Sequence, residues 1–187
     1  DKLLIIHADD LGLCKSVNYA TFESFENQSI SSASVMLTTD EILDVADFSK
    51  KNKNYDFGVH LTVTSEWKYH KWGGVLDNTN IKSLLNSEKH FYWNKRKFTK
   101  NAKLNQISLE LQAQVDLAKS MGFEPTHIDS HEGALFFDPD IFKLYLEIAE
   151  KNELLAFVPS KASVHFGHDL KKPKNAIITV SYTHLTL

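Results

Sequence analysis

The sequence predicts an α/β fold, a (β/α) barrel of mostly parallel strands. Three observations predict it. Short apolar runs alternate with amphipathic stretches, no glycine-rich phosphate loop follows the first run, and acidic or histidine residues stand at the ends of three runs. Strands that alternate with helices are typical of a parallel sheet, and a doubly wound nucleotide-binding fold would carry glycines after its first strand. In a barrel, catalytic residues lie at the carboxyl ends of several strands.

The composition is that of a globular protein. With 187 residues, 42% of them hydrophobic and 24% charged, the chain fits one domain spanning residues 1–187. The net charge of -3 argues against nucleic acid as a partner, and no apolar run reaches the roughly 20 residues of a membrane helix. A cytoplasmic location is expected, with export by a cleaved signal as the alternative. The oligomeric state is open, a homodimer included.

The chain contains a single cysteine, Cys14. One cysteine cannot form an internal disulfide or a thiolate metal cluster. Any metal would therefore be held by histidine and carboxylate side chains.

Two strand–helix units are predicted in the first quarter of the chain. Residues 3–6 form a continuous apolar run, as expected for a strand buried on both faces. Ser16 is well placed to cap the helix that follows. Residues 30–36 predict a second strand, and the amphipathic residues 40–51 predict a second helix.

The middle of the chain combines a strand, an irregular loop and a long helix. Residues 55–64 alternate as a strand does, with His60 inside it. Residues 75–101 are polar with scattered aromatics, and we expect an irregular loop over the barrel mouth. Residues 105–121 predict a helix, and Gly122 is well placed to end it.

The last third supplies three more strands. Residues 126–131 alternate, so that every second side chain shares a face. Pro139 fits the first turn of a helix over residues 140–152, and residues 154–158 and 175–182 predict two further strands. The chain stops five residues after the last of these. A barrel would normally continue, so a C-terminal truncation is expected.

Side chains suited to metal-assisted hydrolysis stand on three of these strands. Asp10, His60 and His127 would supply one carboxylate and two imidazoles, which leaves an open position for water and substrate. Asp9 would then lie beside the metal as a general base. Taken singly, an Asp pair here can also be a solvated turn or a helix cap, and His60 can be a hydrogen-bonded core histidine. Their coincidence at three strand ends favours the site.

Three segments resemble one known family. They read LLIIHADDLGL, GVHLTVTSEW and PTHIDSHEGALF, and are similar to the YdjC-like carbohydrate deacetylases, which include chitooligosaccharide deacetylase. The resemblance implies a distorted (β/α) TIM-like barrel and metal-dependent removal of an N-acetyl group from an amino sugar. It places Asp10, His60 and His127 at the family's metal ligands and Asp9 at the catalytic base. Here Glu132 and Gly133 stand where relatives carry further histidines.

The remaining roles follow from this hypothesis. One divalent ion, magnesium or zinc, would polarise the amide of an N-acetylated sugar substrate. His131 is the candidate general acid because it shares a face with His127, and Asp129 and His7 would orient the ligands from behind. Trp67 and Trp72 are candidates for a sugar-binding platform, although aromatic residues also pin long loops. Two alternatives stay open: an amidohydrolase- or phosphoesterase-like barrel enzyme, and a non-catalytic sugar-binding relative.

Overall fold

The structure, a computed structural model, describes residues 4–159 and 176–179. Within them, six parallel strands pair in chain order. The strands are β1 (His7–Leu11), β2 (Ser32–Val35), β3 (Asp56–Leu61), β4 (His127–Ser130), β5 (Leu155–Pro159) and β6 (Ala176–Thr179). The α-helices are α1 (Lys15–Glu26), α2 (Ile42–Lys51), α3 (Lys95–Asn101), α4 (Leu104–Ser120) and α5 (Pro139–Lys151).

Strand order and curvature are compatible with a (β/α) barrel. The order never reverses, whereas a doubly wound sheet has a point at which it does. Two strands separate β1 from β4, which would hold them about 14 Å apart in a flat sheet. Nonetheless His7 Nε2 on β1 lies 3.3 Å from Asp129 Oδ2 on β4. The sheet is therefore strongly curved. The predicted α/β fold with parallel strands is confirmed. Among the described residues, β1 does not pair with β6.

The two faces of the sheet differ in polarity. Register pairs Ala33 with Phe57 and Val59 with Ile128, so that apolar side chains form one continuous face against the helices. The alternate positions form the concave face, which carries mainly polar residues: His7, Ser32, Ser34, Gly58, His60, His127 and Asp129. A buried polar group without a hydrogen-bond partner costs free energy. The polar side chains of this face must therefore hydrogen-bond to one another or bind a ligand.

Local signals define the helix ends. The Asp138 carboxylate accepts hydrogen bonds from the backbone N–H groups of Asp140 and Ile141, and Pro139 occupies the first turn of α5, as its fixed φ and missing N–H allow. Gly122 follows α4 with a φ of +89°, a left-handed conformation that suits glycine. None of the helices in the described residues is long and apolar enough to cross a bilayer.

Two expectations about local structure need correction. The regular part of β1 begins at His7, after the apolar run, and Leu4, Ile5 and Ile6 are exposed by 80%, 49% and 48%. The reason is that, among the described residues, β1 has a neighbouring strand on one side only. Residues 75–101 are also less irregular than expected, since they contain a 3₁₀ turn at Lys82–Leu84 and the helix α3. Of the last predicted strand, residues 175 and 180–182 lie outside the described residues.

A buried side-chain clamp on α4 holds residues 62–91, which we call the excursion. The Glu110 carboxylate accepts hydrogen bonds from the backbone N–H groups of Val75 and Leu76 at 2.8 and 3.1 Å. Gln114 donates to Glu110 and to the carbonyl of Thr62, and accepts from the Thr62 N–H. Both clamp residues are fully buried. The clamp therefore ties the end of β3 and the excursion to the same helix.

Candidate metal centre

Three side-chain atoms converge at the carboxyl ends of β1, β3 and β4. Asp10 Oδ1 lies 3.1 Å from His60 Nε2 and 3.0 Å from His131 Nδ1, and the two nitrogens lie 3.2 Å apart. Metal–ligand bonds of about 2.1 Å that meet at 90–110° separate neighbouring donor atoms by about 3.0–3.4 Å. We call Asp10, His60 and His131 the triad; its edges match the spacing that a divalent ion requires.

Each triad histidine is held by a carboxylate on its other nitrogen. His60 Nδ1 lies 2.8 Å from Asp129 Oδ1, and His131 Nε2 lies 2.9 Å from Glu66 Oε2. Ser34 Oγ donates to the second Asp129 oxygen at 2.8 Å. A carboxylate in this position fixes the ring tautomer and makes the opposite nitrogen a better ligand. Both free nitrogens therefore face the triad.

The carboxylates around the triad favour positive charge on its two histidines. Burial alone disfavours a charged His60, yet the Asp129 and Asp10 carboxylates raise its pKa well above its ordinary value. Burial also opposes the charge on His131, but hydrogen bonds to Asp10 and Glu66 raise its pKa. The pKa of Asp10 is lowered by its hydrogen bonds to the two histidines, against the effect of burial. Positive charge is thus favoured at this point of the structure.

Asp10 reaches the triad through an unusual backbone conformation. Its φ is +64°, and the pairing of β1 with β2 shifts register between Ala8 and Leu11. The left-handed region is uncommon for residues other than glycine, although Asp tolerates it better than most. Such strain is concentrated at functional sites, and here it turns consecutive side chains, Asp9 and Asp10, towards the same end of the sheet.

Asp9 and His7 lie close to Asp129, the carboxylate that contacts His60. The Asp9 side chain is 63% exposed, and its Oδ1 lies 3.5 Å from His7 Nε2. Partial burial raises the pKa of Asp9; the His60 imidazole opposes this shift, and the Asp129 carboxylate adds to it. His7 also contacts Ser32, Ser34 and Asp129. The positions are those of a free carboxylate beside the centre and of a supporting histidine.

His127 does not join the triad, although the sequence favoured it as the third ligand. It stands four residues before His131, about 13 Å along an extended strand. Its ring is buried, stacks on Phe157 at 4.3 Å and meets Thr126 Oγ1 at 2.8 Å through Nδ1. The structure therefore places His131, predicted as the general acid, beside Asp10 and His60, and it places His127, predicted as a ligand, outside this group.

The two predicted platform tryptophans differ in exposure. Trp67, the residue after Glu66, is 48% exposed. Trp72 is 4% exposed, donates its indole N–H to the carbonyl of Thr64 and packs edge-on against His131 with ring centroids 5.9 Å apart. Trp67 is thus about half open to solvent, whereas Trp72 is buried and packs against His131.

Sequence reasoning missed two residues that support the triad. Glu66 follows the third strand closely, and a carboxylate near a strand end could have been noticed, but the aromatic residues around it indicated only a loop. Ser34 bridges His60 and Asp129 from β2. A serine among small residues in a strand carries no signal of this kind.

The donor set fits a divalent ion. Two imidazoles and one carboxylate, each with its free atom turned to a common point, form a three-ligand set with open positions. His7, Asp9 and Asp129 also approach one another closely, but Asp129 already serves His60 and Ser34. A third group, Glu66, His131 and Glu132, shares His131 with the triad and contains only one imidazole. Of the three groups in the described residues, the triad is therefore the candidate centre with two imidazoles and a carboxylate around one point.

Comparison with known proteins agrees with this picture. The sequence profile described as YdjC-like protein matches residues 3–182. A chitooligosaccharide deacetylase from Yersinia enterocolitica is 31% identical over 179 residues, which are 94% of this chain and 66% of that protein. A carbohydrate deacetylase from Thermus thermophilus is 31% identical over 158 residues, or 84% of this chain and 54% of that protein. The chain thus spans at most about two thirds of the length of these relatives.

A solved structure shares the fold. It is a protein from Enterococcus faecalis provisionally described as a cellobiose-phosphate cleavage protein, with a TM-score of 0.75 and 24% identity over 82% of this chain and 57% of that one. At this identity the likeness concerns the fold alone. The family profile covers nearly the whole chain and agrees with the three motifs. The chain therefore belongs to the YdjC family.

Proposed function

We propose that this chain carries the active site of a metal-dependent hydrolase that removes N-acetyl groups from an amino sugar or a short oligosaccharide. The observation that carries the proposal is the triad of Asp10, His60 and His131, whose edges of 3.0–3.2 Å suit an ion. The relatives named carbohydrate and chitooligosaccharide deacetylases support the reaction class.

The ligand set favours zinc or a similar ion over magnesium. Magnesium prefers oxygen ligands and retains several waters, whereas zinc is commonly bound by two or three side chains that include imidazole nitrogen. Asp129 and Glu66 would increase the basicity of the two ligating rings. A bound ion would supply a Lewis acid for the amide carbonyl and lower the pKa of water at the open position.

Asp9 is the residue placed to move protons. Its carboxylate is exposed beside the triad without a close hydrogen bond to it, and its raised pKa brings it nearer to the value of an effective base. It would accept a proton from the attacking water. The same proton is then available to the amine nitrogen as the carbon–nitrogen bond breaks, so that acetate and a free amino sugar leave.

His131 is less suited to the acid role than the sequence suggested. Its Nε2 is engaged by Glu66 and its Nδ1 faces Asp10 and His60. A ring with both nitrogens committed has no free position for a leaving amine. We therefore propose His131 as the third ligand and Asp9 as both base and proton carrier.

A pair of histidine variants tests the ligand assignment. His131→Gln should lose bound metal and acetate release, whereas His127→Gln should retain stoichiometric metal because its ring lies outside the triad. Metal content is measured by elemental analysis after dialysis, and folding by circular dichroism. Loss of metal in a folded His127→Gln variant together with retention in His131→Gln would contradict the proposal.

A substrate panel separates the competing activities. Incubation with N-acetylglucosamine oligomers and with phosphomonoesters should release acetate and no phosphate. Phosphate release alone would favour a phosphoesterase-like barrel enzyme. Saturable sugar binding with neither product would favour a non-catalytic relative.

A further inference from the structure

The turn that follows His131 has an unusual backbone conformation. Glu132 and Gly133 have φ values of +53° and +64°, so that two consecutive residues lie in the left-handed region. Glycine adopts this region at little cost, but glutamate does not, because its Cβ comes close to the following carbonyl oxygen. Such a conformation persists only where the surrounding structure holds it. Glu132 therefore needs contacts that keep its backbone in place.

Lys95 holds Glu132 from outside the sheet. Its Nζ donates a hydrogen bond of 2.8 Å to the Glu132 carbonyl and lies 4.0 Å from one oxygen of the Glu132 carboxylate. The same ammonium lies 5.3 Å from the centre of the Phe137 ring, which is a cation–π contact. Thr64, buried after the end of β3, donates to the other carboxylate oxygen at 3.1 Å. Glu132 is thus held through its carbonyl and both carboxylate oxygens.

Lys95 is itself firmly anchored. It is the first residue of α3, where the Asn94 side chain caps the helix by accepting a hydrogen bond of 2.8 Å from the Lys97 N–H. Phe98, three residues further along α3, is fully buried. The Lys95 side chain is 29% exposed, whereas Arg96 and Lys97 are exposed residues. Lys95 therefore differs from its neighbours on α3 in having a side chain with defined partners.

The Glu132 backbone connects His131 to a fixed segment. On one side of the turn, β4 is fixed in the sheet between β3 and β5. On the other side, Leu135 is fully buried and its N–H donates to Ser130 Oγ at 3.1 Å. Since both flanking segments are fixed, a change in the Glu132 backbone must be taken up by its neighbours, His131 and Gly133. The His131 ring has little room for such a change, because both of its nitrogens have partners 2.9–3.2 Å away.

We propose that Lys95 is a positioning residue for the candidate metal centre: together with Thr64, it holds the turn after His131 and so keeps that ring in the triad. The inference rests on the metal-dependent function proposed above and adds a residue that acts on the third ligand without touching the ion. Lys95 carries a positive charge, which by itself disfavours a nearby cation. A positioning role and a purely electrostatic role therefore predict effects of opposite sign when Lys95 is replaced.

The zinc affinity of Lys95→Met tests the proposal. Methionine keeps an unbranched side chain of high helix propensity but removes the donor and the charge. We expect zinc affinity, measured by competition with a fluorescent chelator, to fall about 3- to 10-fold. Arg96→Met removes an exposed positive charge from the same helix and is the matched control, which should bind zinc as the unsubstituted protein does. Unchanged or tighter zinc binding by a folded Lys95→Met variant would overturn the proposal.

Two substitutions of Glu132 separate the backbone from the charge. Asparagine adopts the left-handed region more readily than most residues, whereas glutamine, like glutamate, does not. Both substitutions remove the carboxylate. In combination with Lys95→Met, Glu132→Asn should raise zinc affinity about 2- to 3-fold above that of Lys95→Met alone, and Glu132→Gln should not raise it. Equal zinc affinities of the two double variants would overturn the role of the turn.

Nuclear magnetic resonance of metal-free protein reports on the His131 ring itself. With isotopically labelled histidine, the ring nitrogen signals of His131 should shift in Lys95→Met and stay unchanged in Arg96→Met, because the contacts of this ring with Glu66 and Asp10 depend on its position. A lower unfolding midpoint, with unchanged signals and unchanged zinc affinity of the folded protein, would reduce Lys95 to a stabilising residue and overturn the proposal.

A second variant tests the same turn if Lys95→Met does not fold. Thr64→Val keeps nearly the same shape and removes the hydrogen bond to the Glu132 carboxylate. Zinc affinity should fall about 2- to 5-fold. An unchanged zinc affinity of Thr64→Val would count against the proposal in the same way.

Acetate release distinguishes failure of this inference from failure of the proposed function. Full zinc affinity in the variants, with acetate released from N-acetylglucosamine oligomers by the unsubstituted protein, would overturn the positioning role alone. Zinc affinity that depends on Lys95, with no acetate released from these sugars, would support the positioning role and overturn the deacetylase function. An unsubstituted protein that binds no divalent ion would overturn both.

Discussion

Asp129→Asn tests whether the carboxylate that contacts His60 Nδ1 increases the metal affinity of the candidate centre. The Asp129 side chain is buried and accepts bonds of 2.8 Å from both His60 Nδ1 and Ser34 Oγ. Asparagine keeps the shape and one carbonyl oxygen, so the main change is the loss of negative charge. Hydrogen bonds to a charged group contribute about 1.5–3 kcal/mol and neutral ones about 0.5–1.5 kcal/mol. The difference of about 1–2 kcal/mol predicts metal affinity about 5- to 30-fold weaker.

The pH dependence of this loss gives a second readout. Metal binding must displace the protons that the raised pKa of His60 retains in the metal-free state. Without the Asp129 charge, that pKa falls and competition from protons weakens. The gap in affinity between the unsubstituted protein and Asp129→Asn should therefore be widest near pH 8 and narrow as the pH falls.

Competition with a fluorescent zinc chelator measures both effects between pH 6 and pH 8. Asp47→Asn, an exposed substitution on α2, serves as the control for loss of one negative charge. Equal affinities at pH 8 in a folded Asp129→Asn variant, or a gap of the same size at every pH, would refute the role of Asp129 behind the ligand.

Three further outcomes follow from the fold. Gly58→Ala should destabilise the protein by about 1–3 kcal/mol in urea unfolding, because the added Cβ would overlap the His127 ring; an unchanged midpoint would contradict the buried placement of that ring. Tyr145→Phe should lower the free energy of unfolding by about 1–2 kcal/mol, because the buried Tyr145 hydroxyl lies within hydrogen-bonding distance of backbone carbonyls on both β4 and β5. A stability equal to that of the unsubstituted protein would exclude this contribution. With chelator present, the free energy of unfolding should decrease as the pH rises above 6.5. The two triad histidines have raised pKa values in the folded protein, so their stabilising contribution is complete below the unfolded pKa of about 6.5 and is lost as the pH rises through the folded pKa. An increase in stability over this range would contradict the prediction.

Periodicity predicted the strands and helices well because each has one buried face. The helices predicted at residues 105–121 and 140–152 agree with α4 and α5 to within one residue at each end. The prediction of a buried strand at residues 3–6 was wrong because apolar composition alone does not determine burial. Burial also depends on which neighbouring element covers the strand, and that depends on the tertiary structure.

The choice between His127 and His131 shows what alternation alone leaves open. A period of two places both histidines on one face but does not say which lies level with His60. Register decides this, and β3 pairs His60 with Asp129. Register depends on contacts between strands that are distant in sequence. The residue after Asp129 on the same face, His131, is therefore the one that reaches the carboxyl end of the barrel beside Asp10.

The clamp on α4 makes the candidate centre dependent on a segment outside the sheet. Glu66 belongs to the excursion, and its hold on His131 requires that excursion to be docked through Glu110 and Gln114. If the triad binds an ion as proposed, the outer helix would support that binding without touching the ion. Ion binding would then favour a docked excursion, so that removal of the ion should speed amide hydrogen exchange at Val75.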